Sequence, residues 1–355
     1  VAVPSSPTGR PRRAAAKNEK VPVHHAVDHV VEAYGLGTGP WTITPVARGA
    51  LGQIWKLAGD GRRWAVKELL FGCDEEQVRR EAALRDAGEN LGIASPRLLA
   101  NRDGSHVSTL PAQVGGSCVK VYDWVDGSFA DPTRPEILTW VGRTLALLHV
   151  AGAGASETPV PWYERCPDAS DWEALHRKIR GSGLPWSDRL EELAHGRAAE
   201  LSRFVTPAER TGMVTSHLDV QPQNVLVGPA GPVLIDWDNA GPVSPERELA
   251  SVVYAWSGGN AVNADSARRL VRAYVDAGGP GTIRSLEAFS MLFATRLNYV
   301  QVQAEAAVDP EKTAEQRAFA DRQVRDSLDA VPDPTVLSGL VEELESEWGR
   351  GRRGA

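Results

Sequence analysis

The sequence predicts an α+β protein built as two lobes, a small strand-rich first part and a larger helical remainder. Three observations lead to this class. The chain has 355 residues, more than one small core accommodates. Short apolar runs separated by Gly-containing turns fill residues 41–70. Helical periodicity dominates beyond residue 126.

Taken in order, residues 1–20 are rich in Pro, Ser, Ala and Arg, with almost nothing to bury, and read as a disordered basic arm. Apolar residues at helical spacing over 23–34, stopped by YGLGTG, predict a short helix. WTITPVARGALGQIWKLAGDGRRWAVKELL reads as three strands turning at RGALG and AGDGRR. Residues 74–88 form an amphipathic helix with Asp74 as its N-cap. Strand-like runs follow at 96–100 and 117–125, the second ending at Asp126-Gly127, where the lobes are expected to join. Helices are expected over 135–150, 169–179 and 186–204 and in several segments after Glu246, with a strand pair at 224–227 and 233–235 between them. The expected division is a first lobe at 21–125, a helical lobe at 126–349 and a frayed tail at 350–355.

Charge narrows the partners. The basic arm carries a net +4 and the last six residues +3, which leaves residues 21–349 at −14 within an overall −7. Nucleic acid is not expected as a partner of such an acidic body, because phosphate contacts need a basic face. A cationic small molecule would be attracted to it, although acidity also serves solubility alone. No apolar run approaches the roughly 18 residues of a spanning helix, and no apolar segment of a signal peptide is present, so a cytoplasmic protein without membrane contact is expected. Cys73, Cys118 and Cys166 are scattered and fit buried reduced thiols better than a disulfide frame or zinc site. The adjacent His24 and His25 lack the neighbours of a metal site.

The chemistry concentrates in SHLDVQPQNVLVGPAGPVLIDWDNAGPVSPEREL, residues 216–249. Asp219 follows His217 by two residues, Asn224 follows by five more, and Asp236 by a further twelve. Moving a phosphoryl group to a hydroxyl requires a carboxylate at the attacking oxygen and hard oxygen ligands for magnesium. HLDVQPQN resembles the HxDxxxxN catalytic loop shared by aminoglycoside phosphotransferases and choline kinases, and LIDWDNAGP resembles their metal-binding segment. The resemblance spans about residues 41–255 and implies a protein-kinase-like fold, with a small antiparallel-sheet lobe carrying one main helix and a larger helical lobe. It implies Asp219 as catalytic base, His217 as a brace of the loop, and Asn224 and Asp236 as magnesium ligands, with Asp238 in support. Leu218, where many relatives carry Gly, Arg or Asn, and Glu248, where they commonly show Asp, depart from the pattern.

In RWAVKELL, Lys67 ends an apolar run, as a strand lysine reaching nucleotide phosphates would. A lysine is ordinarily a solvated group, but only seven occur in this chain and Arg is the dominant base. Its expected partner is an acid on the next helix. Glu81 lies within the apolar stripe and is preferred, with Glu75, Glu76 and Glu89 competing. Arg48-Gly49-Ala50-Leu51-Gly52-Gln53 is the candidate phosphate-covering loop, though two glycines alone also mark a turn. VKVYDWVDG resembles the family's hinge, which would set the Asp123 carbonyl and the Val125 amide against the adenine edge.

The cofactors implied are ATP, with GTP as the other option, and Mg2+. The acceptor is expected to be a hydroxylated small molecule, an aminoglycoside or another antibiotic first and a metabolite such as choline, a sugar or an amino alcohol second. Trp162, Trp172, Trp186, Glu246, Glu287, Asn298, Tyr299 and Glu305 are its candidate contacts, each with core packing or solvated surface as the more ordinary role. A protein kinase is disfavoured by the absence of DFG and APE, and a silent pseudokinase by the presence of Lys67, Asp219, Asn224 and Asp236. Oligomeric state is left open.

Overall fold

A computed structural model describes residues 26–48, 52–69 and 72–348. The expectations for the basic arm, for His24 and His25, for Gly49 and for the tail at 350–355 lie outside the described residues. The described residues up to Ala130, with Gln223–Ala240, form one compact unit, and Asp131–Pro222, with Gly241 onward, form a second. The expected boundary at 125/126 thus differs from the observed one by a few residues, and the hairpin after Pro222 belongs to the first unit.

The first unit opens with α1 (Val27–Tyr34), stopped by Gly35 in the left-handed region at φ 61°. Strands β1 (Thr42–Arg48), β2 (Gly52–Gly59) and β3 (Arg62–Leu69) follow as an antiparallel meander. Asp60 and Gly61, at φ 51° and 71°, make the tight β2–β3 turn. An Asp-Gly pair suits that turn because both positions need positive φ. Helix α2 (Glu75–Asn90) starts where the Asp74 carboxylate accepts the amides of Glu76 and Gln77. Strands β4 (Ser108–Thr109), β5 (Cys118–Asp123) and β6 (Ser128–Phe129) complete this stretch. The main sheet runs β1-β2-β3-β5-β4, and α1 packs Val30, Val31 and Tyr34 with Leu57, Trp64, Val66, Val119 and Val121.

Residues 96–100, expected as a strand, form only a single bridge from Leu98 to Tyr122. The Leu99 amide donates to Val121 and the Asp123 amide to Arg97, so the segment follows β5 without joining the ladder. The strand that pairs with β5 on the side away from β3 is the two-residue β4, too short to leave a periodic signal.

The second unit holds α3 (Pro135–Ala151), α4 (Pro161–Glu164), α5 (Ala169–Ile179), α6 (Ser187–His195), α7 (Arg197–Ser202) and β7 (Val214–Ser216). The single helix expected over 186–204 is divided at Gly196, whose backbone (φ −106°, ψ −98°) is not helical. Strands β8 (Val225–Gly228) and β9 (Gly231–Leu234) then belong to the first unit, where β6 pairs with β8. The second unit resumes with β10 (Gly241–Val243), which pairs with β7, and with α8 (Pro245–Trp256) and α9 (Ala264–Asp276). It ends in α10 (Ser290–Val308), α11 (Ala314–Asp329) and α12 (Pro334–Trp348). Among the described residues no helix is long and apolar enough to cross a membrane.

Candidate active site

The chemistry-bearing residues of the first unit converge on two lysines. Lys67 on β3 and Lys120 on β5 are direct cross-strand partners, and both are buried. Two ammonium groups opposed on one sheet face repel each other, so the arrangement is stable only if carboxylates stand between them. Three do. Lys67 Nζ lies 2.6 Å from Asp236 Oδ1 and 2.8 Å from Asp238 Oδ2. Lys120 Nζ lies 2.6 Å from Glu81 Oε2 and 2.6 Å from Asp238 Oδ1. Asp238 therefore bridges the two lysines, and the Tyr122 hydroxyl donates to Glu81.

This arrangement corrects the expected pairing of Lys67 with Glu81. Glu81 is the buried acid of α2, whereas Glu75, Glu76 and Glu89 are exposed, but its cation is Lys120. Lys67 is directed instead to Asp236 and Asp238. The physical reason is register. Lys67 and Lys120 share one rung of the sheet, and α2 presents Glu81 to the β5 side of it. Lys120 stands in CVKVY as Lys67 stands in WAVKE, a rare lysine among valines, and that parallel was the available signal.

The electrostatics follow from burial. Burial opposes the charge of Lys67, but the Asp236 and Asp238 carboxylates outweigh it and raise its pKa far above the usual lysine range. Lys120 is raised likewise, against burial, by Asp238 and Glu81. Burial also opposes ionisation of Asp238, yet Lys120 and Lys67 hold it well below the usual carboxylate range. Glu81 is raised, with burial the largest cause and Lys120 working against it. Formally the cluster has three carboxylates against two ammonium groups, a surplus of one negative charge.

Asp236 leaves β9 with φ 63° and ψ 65°, a left-handed conformation that a non-glycine residue adopts at a cost of about 1–2 kcal/mol. Such strain persists where surrounding contacts impose it. Here Gln77 on α2 donates to the carbonyls of Asp238 and Ala240 at 3.0 and 2.8 Å, tying the segment after Asp236 to the helix that carries Glu81. Asn224 is buried, and its carbonyl accepts the Ile235 amide at 2.9 Å, which sets it one rung from Asp236 at the base of the β8–β9 hairpin. Gly52 is buried at the start of β2. A Cβ there would stand 2.9 Å from the Glu68 carbonyl and 3.3 Å from Lys67 Cε, so glycine makes room for the lysine stem. Asp123 ends β5, its carboxylate accepts from Arg97, and Val125 lies just beyond the strand.

The second unit holds His217 and Asp219, both buried. The Asp219 amide donates to His217 Nδ1 at 3.2 Å, and Gln221 Nε2 donates to the Asp219 carboxylate. Leu218 is left-handed at φ 64°, and its amide donates to Glu248 Oε1 at 2.6 Å. Behind Glu248 runs a fully satisfied chain. The Gly281 amide donates to the Tyr274 hydroxyl, which faces His149 Nδ1 at 2.8 Å, and His149 Nε2 faces Glu248 Oε2 at 2.8 Å. An ionised carboxylate only accepts, so His149 Nε2–H donates to Glu248 Oε2. Burial opposes ionisation of Glu248, but His149 and the Leu218 amide help hold it below the usual range. Trp256 Nε1 donates to the Val220 carbonyl at 2.9 Å. Helices α3, α8 and α9 therefore all brace the HLDV segment. Glu248 was legible only as a departure in ERELA; His149 and Tyr274 left no signal.

The candidate acceptor contacts divide. Trp172, Trp186 and Tyr299 are packed in the interior, with Trp186 donating to Asp321 and Tyr299 to Gln323, the more ordinary role expected of them. Asn298 caps the carbonyls of Trp162 and Arg165, and Glu305 pairs with Lys178. Glu246 is partly buried, which raises its pKa, and Glu287 is exposed, its carboxylate lowered by a hydrogen bond from Ser285.

A five-stranded antiparallel sheet flanked by α1 and α2, an acid–lysine cluster against that sheet and a helical unit carrying the HLD segment define a phosphotransferase of kinase-like fold. The sequence model of the phosphotransferase enzyme family matches residues 42–289, and the chain belongs to that family. Solved structures of the same fold include a spectinomycin phosphotransferase with ADP and spectinomycin, at TM-score 0.63 and 14% identity, covering 90% of this chain and 98% of that one. An amicoumacin kinase with AMP-PNP, Ca2+ and amicoumacin gives TM-score 0.56 and 14% identity over 87% and 93%. An aminoglycoside phosphotransferase from Alicyclobacillus acidocaldarius gives TM-score 0.53 and 20% identity over 85% and 92%. No curated protein matches the chain.

Proposed function

We propose that this chain is a small-molecule kinase that transfers the γ-phosphate of ATP to a hydroxyl group, with an antibiotic of the aminoglycoside kind as the leading acceptor. The observation that carries the reading is the buried Lys67–Asp236–Asp238–Lys120–Glu81 cluster, with Asp236 held in a strained backbone at its edge. A surplus negative charge beside a lysine is what a magnesium–phosphate complex complements.

Asp236 and Asn224 would hold the magnesium, and their donor set fits it. Both offer hard oxygen, and the Asp236 side chain is 35% exposed against 12% for Asp238, with Lys67 engaging only its Oδ1. When bound, such an ion neutralises charge on the transferring phosphoryl group. Lys67 would then exchange its carboxylates for the α- and β-phosphates, while Lys120 keeps Glu81 and Asp238 in place. Asp219 accepts the proton of the attacking hydroxyl and orients that oxygen in line.

Antibiotic acceptors are favoured by the family and by the substrates named for the spectinomycin and amicoumacin kinases of this fold. The acidic body, at −14 over residues 21–349, suits a cationic acceptor. The test is magnesium-dependent nucleotide consumption against aminoglycosides, other hydroxylated antibiotics, choline and amino sugars, with Asp219→Asn as control. Turnover on an antibiotic that disappears in the variant is expected. Turnover on choline or a sugar alone would move the acceptor class, and turnover that survives in the variant would overturn the role of Asp219.

A further inference from the structure

Cys73 and Cys118 are 45 positions apart in the chain, and neither the activity nor the nucleotide cluster uses them. The fold brings their sulfurs to 2.7 Å, closer than two unbonded sulfur atoms rest. This departs from the expectation of scattered buried thiols: Cys118 is buried, Cys73 is exposed, and Cys166 is half-buried.

Both ends of the pair are fixed by local structure. Gly72, at φ 88°, turns the chain after β3, and Cys73 directly precedes Asp74, whose carboxylate caps α2. The backbone at Cys73 is therefore set by the start of a 16-residue helix. Cys118 is the first residue of β5, paired with Leu69 of β3 and Thr109 of β4, and the Thr109 hydroxyl lies 3.6 Å from its sulfur. A sulfur at the start of β5 thus meets a sulfur just ahead of the α2 cap.

We propose that Cys73 and Cys118 are a disulfide-forming pair, a covalent modification site that takes a low-molecular-weight disulfide as oxidant. The exposed Cys73 thiolate attacks that disulfide, forming a mixed disulfide and releasing one thiol. The adjacent Cys118 sulfur then displaces the second small thiol and closes the Cys73–Cys118 bond. Overall the two cysteines lose two protons and two electrons, and the small disulfide is reduced to two thiols. Partial burial, the Cys118 contact and the carboxylates of Glu75 and Asp74 push the Cys73 thiol up to about 12, so exchange at neutral pH is slow and an equilibrium readout is the suitable one. The bond would pin the start of α2 to β5, the two elements that carry Glu81 and Lys120, whether or not the kinase reading holds.

The experiment incubates the full chain with excess oxidised glutathione or with dithiothreitol, blocks remaining thiols with N-ethylmaleimide, and digests with trypsin without reduction. Cleavage after Lys67, Arg79, Arg102 and Lys120 releases peptides 68–79 and 103–120. The expected result is a joined 68–79/103–120 species, two hydrogen masses lighter than the sum of its parts, from the oxidised sample alone. The oxidised chain should also unfold at a higher temperature than the reduced one, because the bond restricts the unfolded chain. Cys73→Ser should abolish both the joined species and that difference. Recovery of the two peptides separately, as maleimide or glutathione adducts, would overturn the proposal, as would bridging that involves Cys166 to the same extent.

Discussion

Lys67 and Lys120 occupy one rung of the sheet, but they should fail differently when replaced. Among the described residues Lys120 is the cation paired with buried Glu81, and it also holds Asp238. Lys120→Met strands a buried carboxylate, and breaking such a pair costs about 3–5 kcal/mol. Urea unfolding should show that loss. Lys67→Met leaves Asp238 its other lysine and leaves Asp236 partly solvated, so its cost in stability should be smaller while nucleotide binding is lost. Equal destabilisation by both would contradict the division of labour. Asp219→Asn keeps the shape of the loop and removes the proton acceptor; kcat should fall ~10²–10⁴-fold with nucleotide affinity little changed, as steady-state kinetics beside calorimetry would show. The HxDxxxxN and IDWD residues stand out in the sequence because the proposed chemistry asks for particular residue types at fixed spacing. Lys120 does not, because its role depends on the register of β3 against β5, which is set by sheet packing and not by local spacing.

At the scale of elements, the brace behind the HLDV segment is the part most open to test. Glu248→Ala would strand two buried donors, the Leu218 amide and His149 Nε2, at about 1–3 kcal/mol each. Asp in its place is one methylene shorter and should recover only part of that loss; Glu248→Gln keeps the length but offers a donor where His149 already donates. Thermal unfolding of the three variants should rank Asp above Ala, and equal midpoints would show that the chain to Tyr274 does not brace the loop. Elements with strong local signals were readable: the Asp74 cap, the Asp60-Gly61 turn and the β8–β9 hairpin all depend on residues adjacent in sequence. Those that depend on partners were not. The two-residue β4 and the extended 96–100 segment are defined by contact with β5. Gly196 breaks a run whose apolar period alone continues through it.

For the whole molecule, the buried charges predict how stability depends on pH. Asp238 and Glu248 are both lowered in the fold, so each contributes stability that is full above an unfolded carboxylate's pKa and is lost as pH falls through the lower folded value. Urea midpoints should therefore decline below about pH 4, the ordinary carboxylate range. Lys67 and Lys120 are raised, so their contribution is full below the ordinary lysine pKa near ~10.4 and is lost only as pH climbs past the folded values. Glu81, raised chiefly by burial, acts in the opposite sense, costing stability as pH rises above an unfolded carboxylate's pKa. Asp238→Asn should flatten the acid limb; an unchanged limb in that variant would place the acid sensitivity elsewhere. The two-unit class was readable from composition and periodicity, whereas the placing of residues 223–240 with the first unit was not. That placement depends on the β6–β8 pairing and on the Gln77 bonds to the segment after Asp236, both between residues distant in sequence.

The central claim is that the Lys67–Asp236 cluster is a magnesium–nucleotide site. It is tested most directly by calorimetric titration of a non-hydrolysable ATP analogue, with and without Mg2+, into the unaltered chain and into Asp236→Asn. The account predicts binding that tightens with Mg2+ in the first and loses that dependence in the second, with thermal unfolding still cooperative. Binding that is equally magnesium-dependent in both, or no binding by the unaltered chain, would contradict it.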